Sequence, residues 1–93
     1  MLNYGYKLYD LELNFIKDTN HIPENFTGMS YCINDKTKWW RKNYDAHRIG
    51  GPAKIWDKND PHYRDPLYYI DGKRVTKEYH DILFNIMKLK GLI

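Results

Sequence analysis

The stretch from Trp39 to Trp56, WWRKNYDAHRIGGPAKIW, constrains the fold more than any other part of the chain. Trp39, Trp40 and Arg41 open it, Asn43 to Asp45 and Gly50-Gly51-Pro52 interrupt it, and Ala53 to Trp56 resumes an extended pattern. Aromatic and β-branched runs bounded by Gly, Pro, Asn and Asp read as strands joined by loops. Successive side chains on a strand point to opposite faces, so Trp39 and Trp40 cannot share one environment. One is expected in the core, and the other facing outward or meeting a partner. Aromatic residues are 16% of the chain, with nine Tyr and three Trp, and flat rings suit the pleated surface of a sheet.

The flanking segments extend this β reading. Residues 9–15 alternate apolar Tyr9, Leu11, Leu13 and Phe15 with polar Asp10, Glu12 and Asn14, which predicts a half-buried strand. Residues 17–25, around Pro23, predict a loop. Thr27 to Ile33 alternates again, with Thr27, Met29, Tyr31 and Ile33 on one face. Gly28, Ser30 and Cys32 make the other face thin, so a close neighbour is expected there. Asn34-Asp35-Lys36 predicts a tight turn into an antiparallel strand over 37–42, which a second hairpin joins to 53–57. Residues 58–66, with Pro61 and Pro66, form a polar loop, followed by a strand from Leu67 to Ile70 and a turn at Asp71-Gly72.

After that turn the period changes. Thr76 suits an N-cap and Glu78 suits the positive end of a helix. Tyr79, Ile82, Leu83, Ile86 and Met87 recur at helical spacing, and Gly91 stands where a C-terminal cap belongs. The expected fold is α+β: an antiparallel β-meander of four to six strands over about residues 4–70, with one C-terminal amphipathic helix over about 76–90. The helix is expected to lie across the sheet and close a core that one layer cannot close. Ninety-three residues suit one domain, 1–93, and bury only roughly 60–65% of their unfolded surface. Leu, Val and Ile are scarce in the sheet, so at least half of the aromatic rings are expected to be buried.

A short internal repeat is visible. TKWWRKN at 37–43 is echoed by PLYYIDG at 66–72, an aromatic pair followed by a turn, and IWDKND at 55–60 echoes CINDKT at 32–37. Trp40, Lys42, Asn43, His47, Arg48, Gly51, Pro52, Ala53, Ile55 and Trp56 follow a pattern of the form W-x-K-N-G-K-x-H-R-x-D-G-P-A-x-I-aromatic, with Tyr44 in place of its first glycine and Gly50 in place of its aspartate. Tyr68 to Arg74 starts a second copy that passes into the helix. This segment, about 27–75, resembles a β-hairpin repeat found in small proteins of bacteriophages and some bacterial relatives. The resemblance implies a phage origin and a meander of hairpins, and it supplies no catalytic residues.

The chemistry-bearing residues narrow the function classes. A formal net charge of +3 is too mild for a strongly basic nucleic-acid binder and excludes an acidic mimic. Cys32 is the only cysteine, which fits a reducing compartment. The N-terminus lacks a signal-peptide pattern and no apolar run approaches the ~18 residues of a membrane span, so a soluble protein in the cytoplasm of an infected bacterial host is expected. The histidines at 21, 47, 62 and 80 match no compact ligand spacing, so neither metal nor cofactor is expected. Ser30 and Cys32 lack a general base, and Asp57, Asp60, Asp65 and Asp71 read as turn residues, so the chain is read as no enzyme.

Aromatics interleaved with cations mark the candidate binding residues: Trp39, Trp40, Arg41, Lys42, His47, Arg48, Tyr63 and Arg64. Such a set anchors a protein partner or stacks bases and neutralises phosphates. His47 and Arg48 either tie their loop to the next hairpin or contact a ligand. The leading expectation is a phage accessory protein that binds a host protein and inhibits a bacterial anti-phage defence system, as an anti-CRISPR-like protein would. The alternatives are a binder of single-stranded nucleic acid or a nucleotide, and a small structural protein of the virion.

Overall fold

A computed structural model describes residues 5–93, so the expected start of the meander near residue 4 lies outside the described residues. Its elements are strands β1 (Tyr6–Tyr9), β2 (Phe15–Thr19), β3 (Gly28–Cys32), β4 (Lys38–Lys42), β5 (Asp45–Ala46), β6 (Lys54–Ile55), β7 (Tyr68–Ile70) and β8 (Lys73–Val75), then helix α1 (Lys77–Leu89). The first six strands make one antiparallel sheet in the order β2-β1-β3-β4-β5, with β6 sharing the outer edge of β4. The β7–β8 hairpin is a second, two-stranded sheet, tied to β6 by a bridge between Lys54 and Leu67. This is the expected α+β architecture. From β3 to β5, neighbours in sequence are neighbours in space, whereas β1 pairs β2 on one edge and β3 on the other.

The first hairpin differs from expectation. Residues 9–15 are not one strand; Asp10 to Asn14 is the turn between β1 and β2, and β2 occupies part of the expected loop. The Asp10 carboxylate accepts the backbone N–H groups of Glu12 and Asn14, each at 2.9 Å, and the Asn14 side-chain amide at 3.1 Å. The bond from Asn14 leads in holding the Asp10 carboxyl below the ordinary carboxylate range. A short acidic side chain that satisfies backbone donors two and four residues on competes with strand pairing and wins here. Leu13 takes φ +66°, and Leu11, Leu13 and Phe15 are exposed.

The thin face of β3 is closely packed, as expected. A Cβ on Gly28, at φ +150°, would collide with the Tyr9 carbonyl and lie 2.8 Å from the Phe26 ring. Leu8 faces Ser30 across the sheet, both are buried, and Ile22 and Phe26 from the following loop cover Leu8. The aromatic rings, by contrast, are mostly not core: among the described residues only Phe26 is buried. The cause is the shape. Extents of 50 × 29 × 20 Å and a radius of gyration of 14.1 Å describe an elongated molecule, against roughly 12 Å for a compact chain of this length. One sheet covered by one short loop leaves most rings half-exposed.

Helix α1 has the expected ends. Thr76 accepts the Tyr79 N–H at 3.0 Å. Gly91, at φ +72°, donates to Lys88 O at 3.1 Å while Leu92 donates to Met87 O at 2.9 Å, which is the paired Schellman closure. Its docking is corrected. The helix does not lie across the large sheet; it packs on β7. Only Thr76 separates β8 from α1, so the helix stays beside its own hairpin. Of the expected stripe, Leu83 and Met87 are half-buried, while Tyr79, Ile82 and Ile86 face solvent. The buried anchor is His80, 3% exposed, whose Nε2 accepts the Gly50 N–H at 3.1 Å and whose ring lies 4.8 Å from Tyr68 and 6.3 Å from Phe84.

Two substitutions test this packing. His80→Ala leaves a cavity and an orphaned Gly50 N–H, and is expected to cost about 2–4 kcal/mol in urea denaturation. Gly28→Ala is expected to cost about 3 kcal/mol or more, because the displaced neighbour is backbone. A loss below 1 kcal/mol for either, roughly the scale of an ordinary surface change, would place these residues outside the core.

Candidate functional site

The candidate residues are positioned by two similar hairpins. The β4–β5 turn is Asn43-Tyr44 at φ +48° and +77°, and the β7–β8 turn is Asp71-Gly72 at φ +49° and +81°. Positive φ at both central residues matches the twist of adjoining strands. The sequence echo between 37–43 and 66–72 is therefore also a structural one. Tyr44 accepts a conformation that disfavours a side chain because Tyr44 N–H donates to Phe26 O at 2.8 Å and Asn43 N–H to Thr27 Oγ1 at 3.0 Å. The hairpins are tied together: Gly72 N–H donates to Ala46 O at 2.8 Å, Asp71 N–H to His47 Nδ1 at 2.9 Å, and Arg48 N–H to Tyr69 O at 3.2 Å.

Strand β4 then sorts its side chains by face. Trp39 and Arg41 share one face with Lys54, and the rings of Tyr44, Trp56 and Tyr69 join them. Arg41 Cζ lies 5.0 Å from the Tyr44 ring and 5.4 Å from Trp39. Lys54 Nζ lies 4.4 Å from Trp39 and 4.3 Å from Trp56, and Tyr69 meets Trp39 at 5.8 Å. Arg41 also donates to Ser30 Oγ at 3.0 Å and Tyr44 O at 2.9 Å. Burial lowers the pKa of both Arg41 and Lys54. This face is a ladder of rings and cations that already satisfy one another. Neither β4 tryptophan is core; both are half-buried.

The opposite face is the open one. Tyr9, Met29 and Trp40 form one cross-strand row, and Lys7, Tyr31 and Lys38 form the next. Arg48 Cζ covers Trp40 at 3.9 Å and its Nη1 donates to Pro52 O at 3.1 Å. Two shallow grooves adjoin. Leu11, Thr27, Trp40, Lys42, His47 and Arg48, with Arg41 and Ile49, line one of about 460 Å³. Lys7, Tyr9, Leu13, Met29, Tyr31 and Lys38 line one of about 470 Å³. The floor is aromatic and apolar, the rim is cationic, and the exposed leucines of the first turn stand beside it. Lys7 pairs with Asp18 at 3.1 Å and Lys42 lies 3.9 Å from Asp71.

The structure thus divides the candidates. Trp40, Lys42, His47 and Arg48 meet on the open face, and Trp39 and Arg41 lie on the other. Tyr63 and Arg64 sit in the exposed 56–66 loop and join neither cluster. Sequence reasoning missed Leu11 and Leu13 as surface groups, because it took their turn for a strand; Asp10 and Asn14 bracketing them were the signal. It also missed Lys54, Trp56 and Tyr69 as members of the ladder. Ser30 is buried and bonded to Arg41. Among the described residues no group of three or more His, Cys, Asp or Glu side chains is placed to hold a metal ion. No known protein family, curated protein or solved structure matches the chain.

His47 gives this region a pH signature. Burial lowers its pKa from 6.5, a shift that nearby Asp71 opposes and Lys42 reinforces. Its Nδ1 accepts from Asp71 N–H, a role only the unprotonated nitrogen can fill. A depressed pKa means that the unfolded chain takes up the proton first. The stabilisation is therefore present above 6.5 and is lost as pH falls through the lower folded-state value. Denaturation midpoints measured between pH 7.5 and about 5 are expected to fall, and His47→Gln should flatten that slope relative to the parent chain. An identical slope in the variant would show that His47 is not the titrating group.

Proposed function

We propose that this chain is a non-enzymatic binding protein whose docking surface is the open face of the sheet around Trp40. The observation that carries the reading is the exposure of Leu11, Leu13 and Phe15 beside that face. Large apolar side chains gathered at one end of a sheet and rimmed by polar groups mark an interaction site. The cations at its edge, Lys7, Lys38, Lys42 and Arg48, suit a partner protein with a carboxylate-rich margin and would act mainly on the association rate. The likeness of residues 39–56 to a phage hairpin repeat supports a phage accessory protein. In that role the partner is a host factor, such as a component of an anti-phage defence system.

Nucleic acid is the weaker occupant of this face. A base would stack on a bare indole, but Arg48 already covers Trp40, the indole of this face, at 3.9 Å. A net charge of +3 also gives a weak phosphate-attracting field.

The test is affinity capture from bacterial lysate with and without nuclease, using the parent chain and a Leu11→Asp/Leu13→Asp variant. Both leucines are exposed, so the variant should keep the parent's melting temperature while losing the captured protein, with an affinity loss of about 2 kcal/mol or more. Capture that survives both substitutions would move the interface elsewhere. Micromolar binding of single-stranded oligonucleotides at physiological salt, abolished by Trp40→Ala, would replace the protein partner with nucleic acid.

A further inference from the structure

We infer that the groove between the β3–β4 turn and the segment after β6 is a separate site for a nucleoside polyphosphate. Tyr31, Lys38 and Ile55 lie side by side in register across β3, β4 and β6 and form its floor. Lys36 rises on one side, Trp56, Asp57 and Lys58 follow on the other, and the groove holds about 440 Å³. That is within the roughly 300–1,000 Å³ of small-ligand sites. No residue named in the protein-docking surface, apart from Tyr31 and Lys38, contributes to it.

The charge arrangement points to a multiply charged anion. Lys36, Lys38 and Lys58 converge on one concavity, and among the described residues none of the three makes an ion pair. The cations that lie over this sheet's aromatic rings are by contrast engaged: Arg41, Arg48 and Lys54 with the rings, and Lys7 with Asp18. Asp57 is the one carboxylate in the lining, and its Oδ1 already accepts the Asn59 N–H at 2.8 Å. The lining thus carries three cations against one carboxylate, an excess that a polyanion would meet.

The backbone fixes two of these cations. Lys36 sits at φ +58° in a turn closed by its own N–H donating to Cys32 O at 2.8 Å, and Asp35 holds the turn through Thr37 N–H and Oγ1 at 3.0 and 2.6 Å. Lys38 lies on β4 opposite Tyr31. The planar component of the ligand follows from Trp56. Its half-buried indole lines the groove, and Lys54 occupies one side of the ring at 4.3 Å. In the proposed complex the base lies against this indole, with Tyr31 from the same groove as a second planar surface. Phosphates on lysines and a base on tryptophan describe a nucleotide. A bare phosphate would use only the lysines.

The experiment is isothermal titration of the purified chain with ATP, adenosine and inorganic tripolyphosphate at physiological salt. ATP is expected to bind in the range of about 10–100 µM, and adenosine and tripolyphosphate each at least about ten-fold more weakly. Lys36→Asn/Lys58→Gln should weaken ATP about ten-fold or more without altering the circular dichroism melt, since both lysines are exposed and asparagine tolerates the positive φ at position 36. Trp56→Leu should weaken ATP and leave tripolyphosphate unchanged. No heat at about 1 mM ATP, an affinity unmoved by the lysine variant, or tripolyphosphate binding as tightly as ATP would each overturn the proposal. Retention of ATP binding in Leu11→Asp/Leu13→Asp keeps this site distinct from the protein-docking surface, and its loss there would merge the two and overturn this assignment.

Discussion

The outer edge of β4 is shared, and the rest of the molecule hangs from the way the loop between its two partners closes. Trp40 accepts the His47 N–H at 3.0 Å and donates to Ala53 O at 2.8 Å. The loop from 47 to 53 therefore leaves and rejoins the sheet at one residue. From that loop, His47 and Arg48 reach the β7–β8 hairpin, Gly50 reaches His80 on α1, and Ala53 and Lys54 pair with Leu67. Gly50, at φ +99°, is the place where this closure needs a glycine backbone, and a Cβ on Gly51 would displace the Arg48 guanidinium 2.8 Å away. A chain with a small apolar core substitutes hydrogen bonds between loops for burial.

That substitution explains the aromatic content. Rings that cannot enter a core remain at the boundary with water, where a cation on the ring face is worth about 0.5–1 kcal/mol or more. Arg41, Arg48 and Lys54 fill that role on Tyr44, Trp39, Trp40 and Trp56. Half-burial of both β4 tryptophans follows from the same balance. Each face of β4 has a partial cover, so neither indole has to choose between core and solvent.

Local signals with one physical reading were legible in the sequence. Thr76 and Gly91 bound the helix, Asp71-Gly72 and Asn34 to Lys36 turn the chain, and the thin face of β3 receives a close neighbour. Signals with two readings failed. Tyr9 to Phe15 alternates as a strand would, yet Asp10 supplies bonds that only a turn can use. The helical stripe correctly gave a helix but not its partner, because helical spacing says which side chains share a face and not which face is covered. His80 decided that question, and a lone histidine on a helix carries no sequence signal of a buried hydrogen bond to Gly50 thirty residues away. The ladder on the Trp39 face was likewise hidden, since Lys54 and Tyr69 reach it only through the closure at Trp40.

The division of labour among the cations follows from side-chain chemistry. Arginine presents five donors on a weakly hydrated plane, so it can cover an indole and still bond backbone carbonyls. Arg41 does so with Trp39 and Tyr44 O, and Arg48 with Trp40 and Pro52 O. Lysine is a compact, strongly hydrated charge that stays in water unless an anion arrives. Lys36, Lys38 and Lys58 remain in that state, whereas Lys54, drawn between two indoles, has its pKa lowered by burial. The arginines thus hold the surface in shape, and the groove lysines, outside any ion pair among the described residues, stay in water. Replacing a ring-covering arginine should cost stability, and replacing a groove lysine should leave it unchanged, because only the first charge is already engaged by the fold.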